Sequence, residues 1–221
     1  MRLAIVGYGK MGRLIEQLAP ELGFTVHCRI DNGDDTGLAT GADVAIEFTA
    51  PGAVIGNVER LAALGVPVVV GTTGWMAGLE KVREVVARHD TALVWSPNFS
   101  IGVNAFVRIV REAAHLLANE TQYGAWGWEI HHETKQDAPS GTLLRLVEEM
   151  RAAGYRREVD ITSSRAGAHP GTHEIGFDSA ADTITLRHSA RNREGFARGA
   201  LKAAQWIVGK KGVFEFSEIL P

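Results

Sequence analysis

The chain of 221 residues and 23.8 kDa carries 23 basic and 26 acidic residues, a formal net charge of -3. No basic excess exists to follow a phosphate backbone, and no apolar run approaches the ~18 residues of a membrane span, so neither nucleic acid nor membrane is expected as a partner. Hydrophobic residues make up 45%, enough for a sizeable core, and the single cysteine, Cys28, excludes an intrachain disulfide and a cysteine-rich metal cluster. Met1 to Val6 runs straight into a glycine motif without signal-peptide architecture, so a cytoplasmic location is expected.

The first hundred residues alternate short apolar runs with helical patterns. Leu3–Val6 reads as a buried strand and Lys10 to Leu22 as a helix, followed by a second strand over Thr25–Ile30. Val44–Ile46 is a third strand, with a helix from Pro51 to about Leu64. Val66–Val70 is a fourth, with a helix from about Ala77 to Arg88, and Leu93–Trp95 is a fifth. Continuous apolar strands between amphipathic helices predict a parallel sheet covered on both faces, hence a Rossmann-like, doubly wound α/β fold.

The rhythm changes between Ser96 and Ser100, where Pro97 and Asn98 break the pattern and a domain boundary is expected. A helix from roughly Val103 to Ala118 follows, then an extended run from Thr121 to about His132, a turn-rich stretch and a helix from Thr142 to Ala153. Asp160–Ser164, Thr172–Phe177 and Thr183–His188 read as strands without helices between them, which predicts an antiparallel, α+β second part. Phe196 to Val208 is the last predicted helix.

Gly7-Tyr8-Gly9-Lys10-Met11-Gly12 is a G-x-G-x-x-G placed between a predicted strand and a predicted helix, the context of a dinucleotide site. Gly7 permits the turn, Gly9 lets backbone approach a pyrophosphate, and Gly12 allows close packing of helix on strand. The helix N-terminus offers free N–H groups to the phosphates. Asp31, 19 positions after Gly12, stands where an acid would accept from ribose hydroxyls and favour NAD, whereas Arg29, Lys10 and Arg13 could accommodate a 2′-phosphate; NADH and NADPH both stay open. Gly71-Thr72-Thr73-Gly74, Ser96-Pro97-Asn98-Phe99 and Glu47-Phe48-Thr49 sit at carboxyl ends of predicted strands, the edge where such sheets bind ligands.

The stretch from Glu129 to Thr142 concentrates polar groups able to do chemistry. Ser140 is a natural N-cap, and Gly141 and Thr142 add free N–H groups and a hydroxyl, a ready site for a carboxylate. Strand alternation puts Glu129, His131, Glu133 and Lys135 on one face for as long as the strand lasts, so His131 and Lys135 can converge on one ligand, and His132 points away unless the strand has ended. A histidine titrating near neutrality serves as a general acid, and a lysine holds or protonates an anion. One carboxylate with two adjacent histidines makes a poor tetrahedral set, so no metal is expected. Arg165 is a possible anion-binding arginine, and Trp126 and Trp128 alternate along a strand that packs between sheets or subunits.

These residues resemble the 4-hydroxy-tetrahydrodipicolinate (dihydrodipicolinate) reductases of bacterial lysine and diaminopimelate synthesis. The resemblance runs nearly end to end. It takes in the glycine motif, Gly71–Gly74, Asn98–Asn104, the His-His-x-x-Lys-x-Asp-Ala-Pro-Ser-Gly-Thr segment, Ser164–Gly167 with Gly171–His173, and His188–Ala190 with Arg193 and Phe196-Ala197. It implies His131 as proton donor with Lys135 as a second donor, and His132, Ser140, Gly141 and Thr142 at the substrate. It implies Gly7 to Gly12, Asp31, Gly71 to Thr73 and Ser96 to Phe99 at NADH or NADPH. The implied substrate is a small cyclic dicarboxylate, reduced with loss of water. The implied architecture is a nucleotide domain over 1–99, with the C-terminal segment 194–221 packing back on it. A mixed-sheet domain over 100–193 would bind substrate and build a homotetramer, and closure of the two domains would bring nicotinamide to substrate. The glycine loop is one residue shorter than G-x-x-G-x-x-G, Glu47 stands where Asp-Phe-Thr is common, and length is missing after Asp31. Two other readings of the same motifs are an amino-acid-type dehydrogenase on this scaffold and a nucleotide sensor without catalysis.

Overall fold

A computed structural model describes residues 1–220. In chain order its elements are β1 (Arg2–Val6), α1 (Lys10–Leu18), β2 (Thr25–Ile30), β3 (Val44–Glu47), α2 (Val54–Ala63), β4 (Val68–Val70), α3 (Leu79–Arg88) and β5 (Ala92–Trp95). There follow α4 (Ile101–Leu116), β6 (Gly124–His131), α5 (Gly141–Ala152), β7 (Val159–Arg165), β8 (Thr172–Asp178), β9 (Thr183–Ser189), α6 (Glu194–Ile207) and β10 (Gly212–Glu215). Two compact units result: residues 1–101 together with Glu194 onward, and residues 102–193.

The first unit is a six-stranded parallel sheet of order β10-β5-β4-β3-β1-β2. Period-2 alternation sends Leu3, Ile5, Val44 and Ile46 to the face covered by α1 and α6, and Ala4, Val6, Ala45, Val68 and Val70 to the face covered by α2 and α3. Strands apolar on both sides are what such a sheet requires. The strand order reverses between β1 and β3, which opens the crevice where ligands bind in open α/β sheets. Gly199 marks how tightly α6 lies on the loop after β5: a Cβ there would sit 1.7 Å from the Phe99 carbonyl oxygen.

The second unit is a four-stranded sheet of order β7-β6-β8-β9. On one face Ala125, Ile161, Ile175, Phe177 and Leu186 pack with Leu143, Leu146 and Met150 of α5 and Phe106, Val107 and Val110 of α4. Gly127 keeps α5 close, since a Cβ would lie 3.2 Å from Leu143. The opposite face carries Trp126 and Trp128, with Arg187 over the Trp128 ring and the Trp128 indole N–H donating to Ser164 Oγ at 3.2 Å.

The structure departs from the sequence-based expectations in five places. The first helix stops at Leu18 and continues as a 3-10 turn over Ala19–Leu22, because Pro20 lacks the N–H that an α-helix needs. The helices expected from Pro51 and Ala77 begin as 3-10 turns over Pro51–Ala53 and Met76–Gly78. A sixth parallel strand, β10, was not expected; its four half-buried residues at a sheet edge carry little hydrophobic signal. The three late strands do not form an antiparallel set: β7 pairs parallel with β6, and only the β6–β8 and β8–β9 pairs are antiparallel. The reason is the crossover through α5, which returns the chain to the same end of the sheet before β7 begins.

Gly199→Ala is expected to lower the stability of the chain by about 1–3 kcal/mol, the usual range for overpacking. Urea denaturation checks this, and an unchanged midpoint would show that α6 has room to shift.

Candidate active site

The carboxyl edge of the first sheet is shaped by missing side chains. Gly7 has φ +89, and a Cβ there would lie 2.0 Å from the Phe48 carbonyl oxygen, so no other residue lets the β1 and β3 loops meet. A Cβ on Gly12 would lie 2.2 Å from the Gly7 carbonyl oxygen, and one on Gly71 2.1 Å from the Phe48 ring. Gly9, the N-cap of α1, differs: no protein atom lies within 4 Å of its Cβ position. That open flank borders a cavity of about 450 Å³ lined by Gly9, Lys10, Met11, Phe48, Thr49, Pro51 and Gly71 to Thr73. Backbone free of side chains at a helix N-terminus, at the switch point of the sheet, fits a pyrophosphate.

Other residues expected at the cofactor are placed differently. Asp31 is exposed just beyond β2; its carboxylate accepts from the Asn32 N–H at 3.0 Å, and its own N–H donates to Asp34 Oδ2 at 2.8 Å. The Tyr8 hydroxyl and the Arg29 guanidinium both donate to Glu16, which leaves Arg29 paired at the mouth of β2. Ser96 and Asn98 bond each other in a tight turn, and Phe99 is buried against Phe48 and Phe216; none of them lines the cavity.

Glu47, at the end of β3, has no solvent exposure. Its Oε1 accepts from the Thr49 hydroxyl and from Asn57 Nδ2 at 3.3 Å, while Oε2 has no hydrogen-bond partner. The Thr49 N–H donates in turn to Thr72 Oγ1 at 2.7 Å, so Glu47 anchors two threonines of the cavity wall. Burial raises its proton affinity, against the opposing pull of hydrogen bonds from Thr49, Thr72 and Asn57.

The second unit holds a different constellation. Alternation along β6 carries Glu129 and His131 to the α5 face, and the strand ends at His131, so Glu133 stands exposed in a turn. The sheet register sets Ser163 of β7 and His173 of β8 on either side of Glu129, and Arg165 beside His131. Glu129, with no exposure, accepts at Oε1 from the Ser140 N–H, Ser163 Oγ and Arg165 Nη2, each at 2.9 Å. Its Oε2 accepts from the Ser140 hydroxyl and faces His173 Nε2 at 3.4 Å and His131 Nδ1 at 3.7 Å. Burial alone would raise this carboxyl, but the bonds from His173, Ser140 and Arg165 outweigh it and hold Glu129 well below the carboxylate range.

Ser140 is the N-cap of α5 and accepts from the Leu143 N–H at 3.2 Å. Gly141 is exposed at the first turn with open space where a Cβ would be. Lys135, partly buried, donates from Nζ to Asp137 Oδ1 at 2.6 Å. That ammonium, with the Asp137 and Gly141 N–H groups, keeps the Asp137 carboxyl below its ordinary value. His132, past the strand end, lies with Nδ1 2.8 Å from Thr134 Oγ1. His131 is 8% exposed, and burial first, then the neighbouring His173, lower it to about 4; Lys135 and Arg165 act in the same direction and Glu129 against them. Glu129, His131 and His173 bring potential ligand atoms within 4.8 Å of one another, yet Arg165 already supplies the positive charge that a cation would bring to that carboxylate.

Strand alternation sets Glu129 on the His131 face without giving it a role, and in the sequence Arg165 is a possible anion-binding arginine. The structure turns Arg165 inward, onto Glu129 and the Asp137 carbonyl. Ser163 carries no local signal and His173 stands out only within the Gly171–His173 segment, because strand pairing is what brings both to β6.

Comparison with known proteins covers both units. Residues 1–99 match the family model described as dihydrodipicolinate reductase, N-terminus, and residues 102–220 the one described as dihydrodipicolinate reductase, C-terminus. A 4-hydroxy-tetrahydrodipicolinate reductase of Christiangramia forsetii is 34% identical over 235 residues, covering 100% of this chain and 98% of the relative. One from Methanosarcina mazei is 38% identical over 197 residues, covering 82% and 74%. Among solved structures, the dipicolinate-bound dihydrodipicolinate reductase from Paenisporosarcina sp. TG-14 superposes with a TM-score of 0.81 at 21% identity, covering 100% of this chain and 99% of that one. An amine dehydrogenase from Mycobacterium smegmatis shares the fold at a TM-score of 0.66 and 10% identity, covering 100% and 96%.

The raised proton affinity of Glu47 gives a signed expectation. The folded chain binds this proton more tightly than the unfolded one, so its contribution is present below the ordinary glutamate value and is lost as pH rises through the raised one. Glu47→Gln removes the titration. As pH rises above the ordinary glutamate value the wild type should lose more stability than the variant, measured by urea unfolding. Parallel pH profiles would show that Glu47 ionises as easily in the folded chain.

Proposed function

The chain belongs to the dihydrodipicolinate reductase family, and from that premise we propose that it reduces 4-hydroxy-tetrahydrodipicolinate to tetrahydrodipicolinate, with loss of water, in lysine and diaminopimelate synthesis. The observation that carries this reading is the chemistry tied to the first turn of α5. His131 is joined to it through Glu129 and Ser140, and Lys135 through Asp137 and Gly141. An acid and a cation thus border an N-capped helix start able to receive a carboxylate. NADH or NADPH supplies the hydride when bound.

The chain's own groups do the rest. Gly9, Lys10 and Met11, with Thr49 and Gly71 to Thr73, form the walls that hold the dinucleotide. Lys135, Gly141, Thr142 and His132 bind the dicarboxylate, and Lys135 must exchange Asp137 for a substrate carboxylate to do so. His131 supplies the proton. In the ligand-free site its low proton affinity keeps the imidazole neutral at pH 7. A dianion brought beside it offsets the cationic neighbours and favours imidazolium, so the acid is charged when the substrate is present.

The outer face of the second sheet supports a homotetramer, because Trp126 and Trp128 stand on the side of β6 away from α4 and α5. The same reading puts the reaction in the cytoplasm, where reduced nicotinamide is available.

A coupled assay with enzymatically generated substrate, following NADH or NADPH oxidation, tests the activity; no oxidation would refute it. His131→Gln is expected to lower kcat at least ~100-fold, the scale of a lost general acid. Lys135→Ala should raise KM for the dicarboxylate and lower kcat; unchanged kinetics would remove it from the site. Light scattering should give the mass of four 23.8 kDa chains, and a monomer mass would refute the assembly.

A further inference from the structure

Glu129 has no solvent exposure, so its carboxylate acts only on neighbouring groups of the chain. We propose that Glu129 and its cross-strand partner His173 form a positioning pair, which locks the N-cap Ser140 and sets the orientation and charge of His131. This deepens the reading of His131 as the acid and rests on it.

The burial of Glu129 is unexplained by the fold alone. Its neighbours on the same face of β6 and β8, Ala125, Gly127, Ile175 and Phe177, belong to or border an apolar core, and an apolar residue at 129 would extend that core. A carboxylate there instead recruits donors from three elements: Ser140 of α5, Ser163 and Arg165 of β7, and His173 of β8. Such saturation is what makes a buried charge tolerable. Its consequence is geometric. Ser140 is held twice, through its N–H and its hydroxyl, and the same hydroxyl also lies 3.1 Å from His173 Nε2. The start of α5 therefore cannot move without disturbing the pair.

The second consequence concerns His131. Its Nδ1 is buried without a hydrogen bond and lies 3.7 Å from Glu129 Oε2. Its ring stands against His173, centroids 5.0 Å apart, in an edge-on arrangement. On the far side Gly171, at φ +138, leaves room for Nε2, since a Cβ there would approach it to 3.0 Å. The groups facing His131 are Glu129 from its own strand, Lys135 from the following turn, Arg165 from β7 and His173 from β8. Beyond His173, His188 of β9 faces it in register, and Asp137 is occupied by Lys135. Among the described residues acting on His131, Glu129 is the negative one. Removing that charge leaves the imidazole facing the Lys135 ammonium and the Arg165 guanidinium and should make it a stronger, less often protonated acid. Removing His173 should do the opposite.

Glu129→Gln and His173→Gln test the pair through opposite signs that a merely structural role would not produce. The pH above which kcat falls should move down in E129Q and up in H173Q. E129Q should also lose at least ~10-fold in kcat at neutral pH, less than the ~100-fold expected on losing the acid itself, and should bind dipicolinate more weakly because Ser140 is released. KM for NADH should stay within about twofold of wild type in both, which reports a folded enzyme. If E129Q fails to fold, the upward movement in H173Q decides alone. Wild-type pH profiles and dipicolinate affinity in these variants, while H131Q is inactive, would overturn the positioning role and leave the acid assignment standing. An H131Q enzyme as active as wild type would overturn that assignment, and this inference with it.

Discussion

A carboxylate sealed from water in the middle of a four-stranded sheet must be matched by donors, and Glu129 is matched by a serine backbone, two serine hydroxyls and a guanidinium. Each donor comes from an element that has to be in place for the match to hold. Leaving one unmade would expose the group to the full cost of desolvation, on the order of 1–3 kcal/mol or more for a charge. The requirement therefore fixes the sheet register and the start of α5 together, and with them the surroundings of His131 and Lys135.

The first unit meets its constraint with glycine instead of charge. Gly7, Gly12 and Gly71 stand where any side chain would collide with backbone or with Phe48, so the β1, β3 and β4 loops close on one another. Gly9 alone of the motif glycines faces open space. The distinction separates three glycines enclosed by protein from one whose flank borders the cavity. Glu47 plays under this edge a quieter version of the part Glu129 plays in the second sheet, holding Thr49 and Thr72 from beneath. It does so without a cation, and its proton affinity moves the opposite way.

Much of the fold was legible because its signals are local and periodic. Four of the five strands from Leu3 to Trp95 are apolar on both faces, the edge strand β2 being the exception, and the helices between them are amphipathic, which leaves few alternatives to a parallel sheet. β10 lacks such a signal, since an edge strand of four half-buried residues needs only β5 for its pairing. The pairing of β7 is not legible either: strand sequence carries no direction, and the parallel β6–β7 pair follows from a helix whose start is better marked than its role as a crossover.

By itself the sequence determined the order of elements, the glycine turn at the head of α1, the Ser140 cap and the crowding of His131, Lys135 and Ser140 into a short stretch. Those features depend on residues close in the chain, where propensity, capping and alternation act. Only tertiary structure decided that Arg165 points inward, that His173 and Ser163 flank Glu129, that Asp31 stays at the surface, and that Gly9 opens while Gly7 and Gly12 are filled around. Each of these is a matter of which distant segment arrives beside a given side chain, and hydrogen-bond saturation and steric closure settle that between strands far apart in the chain.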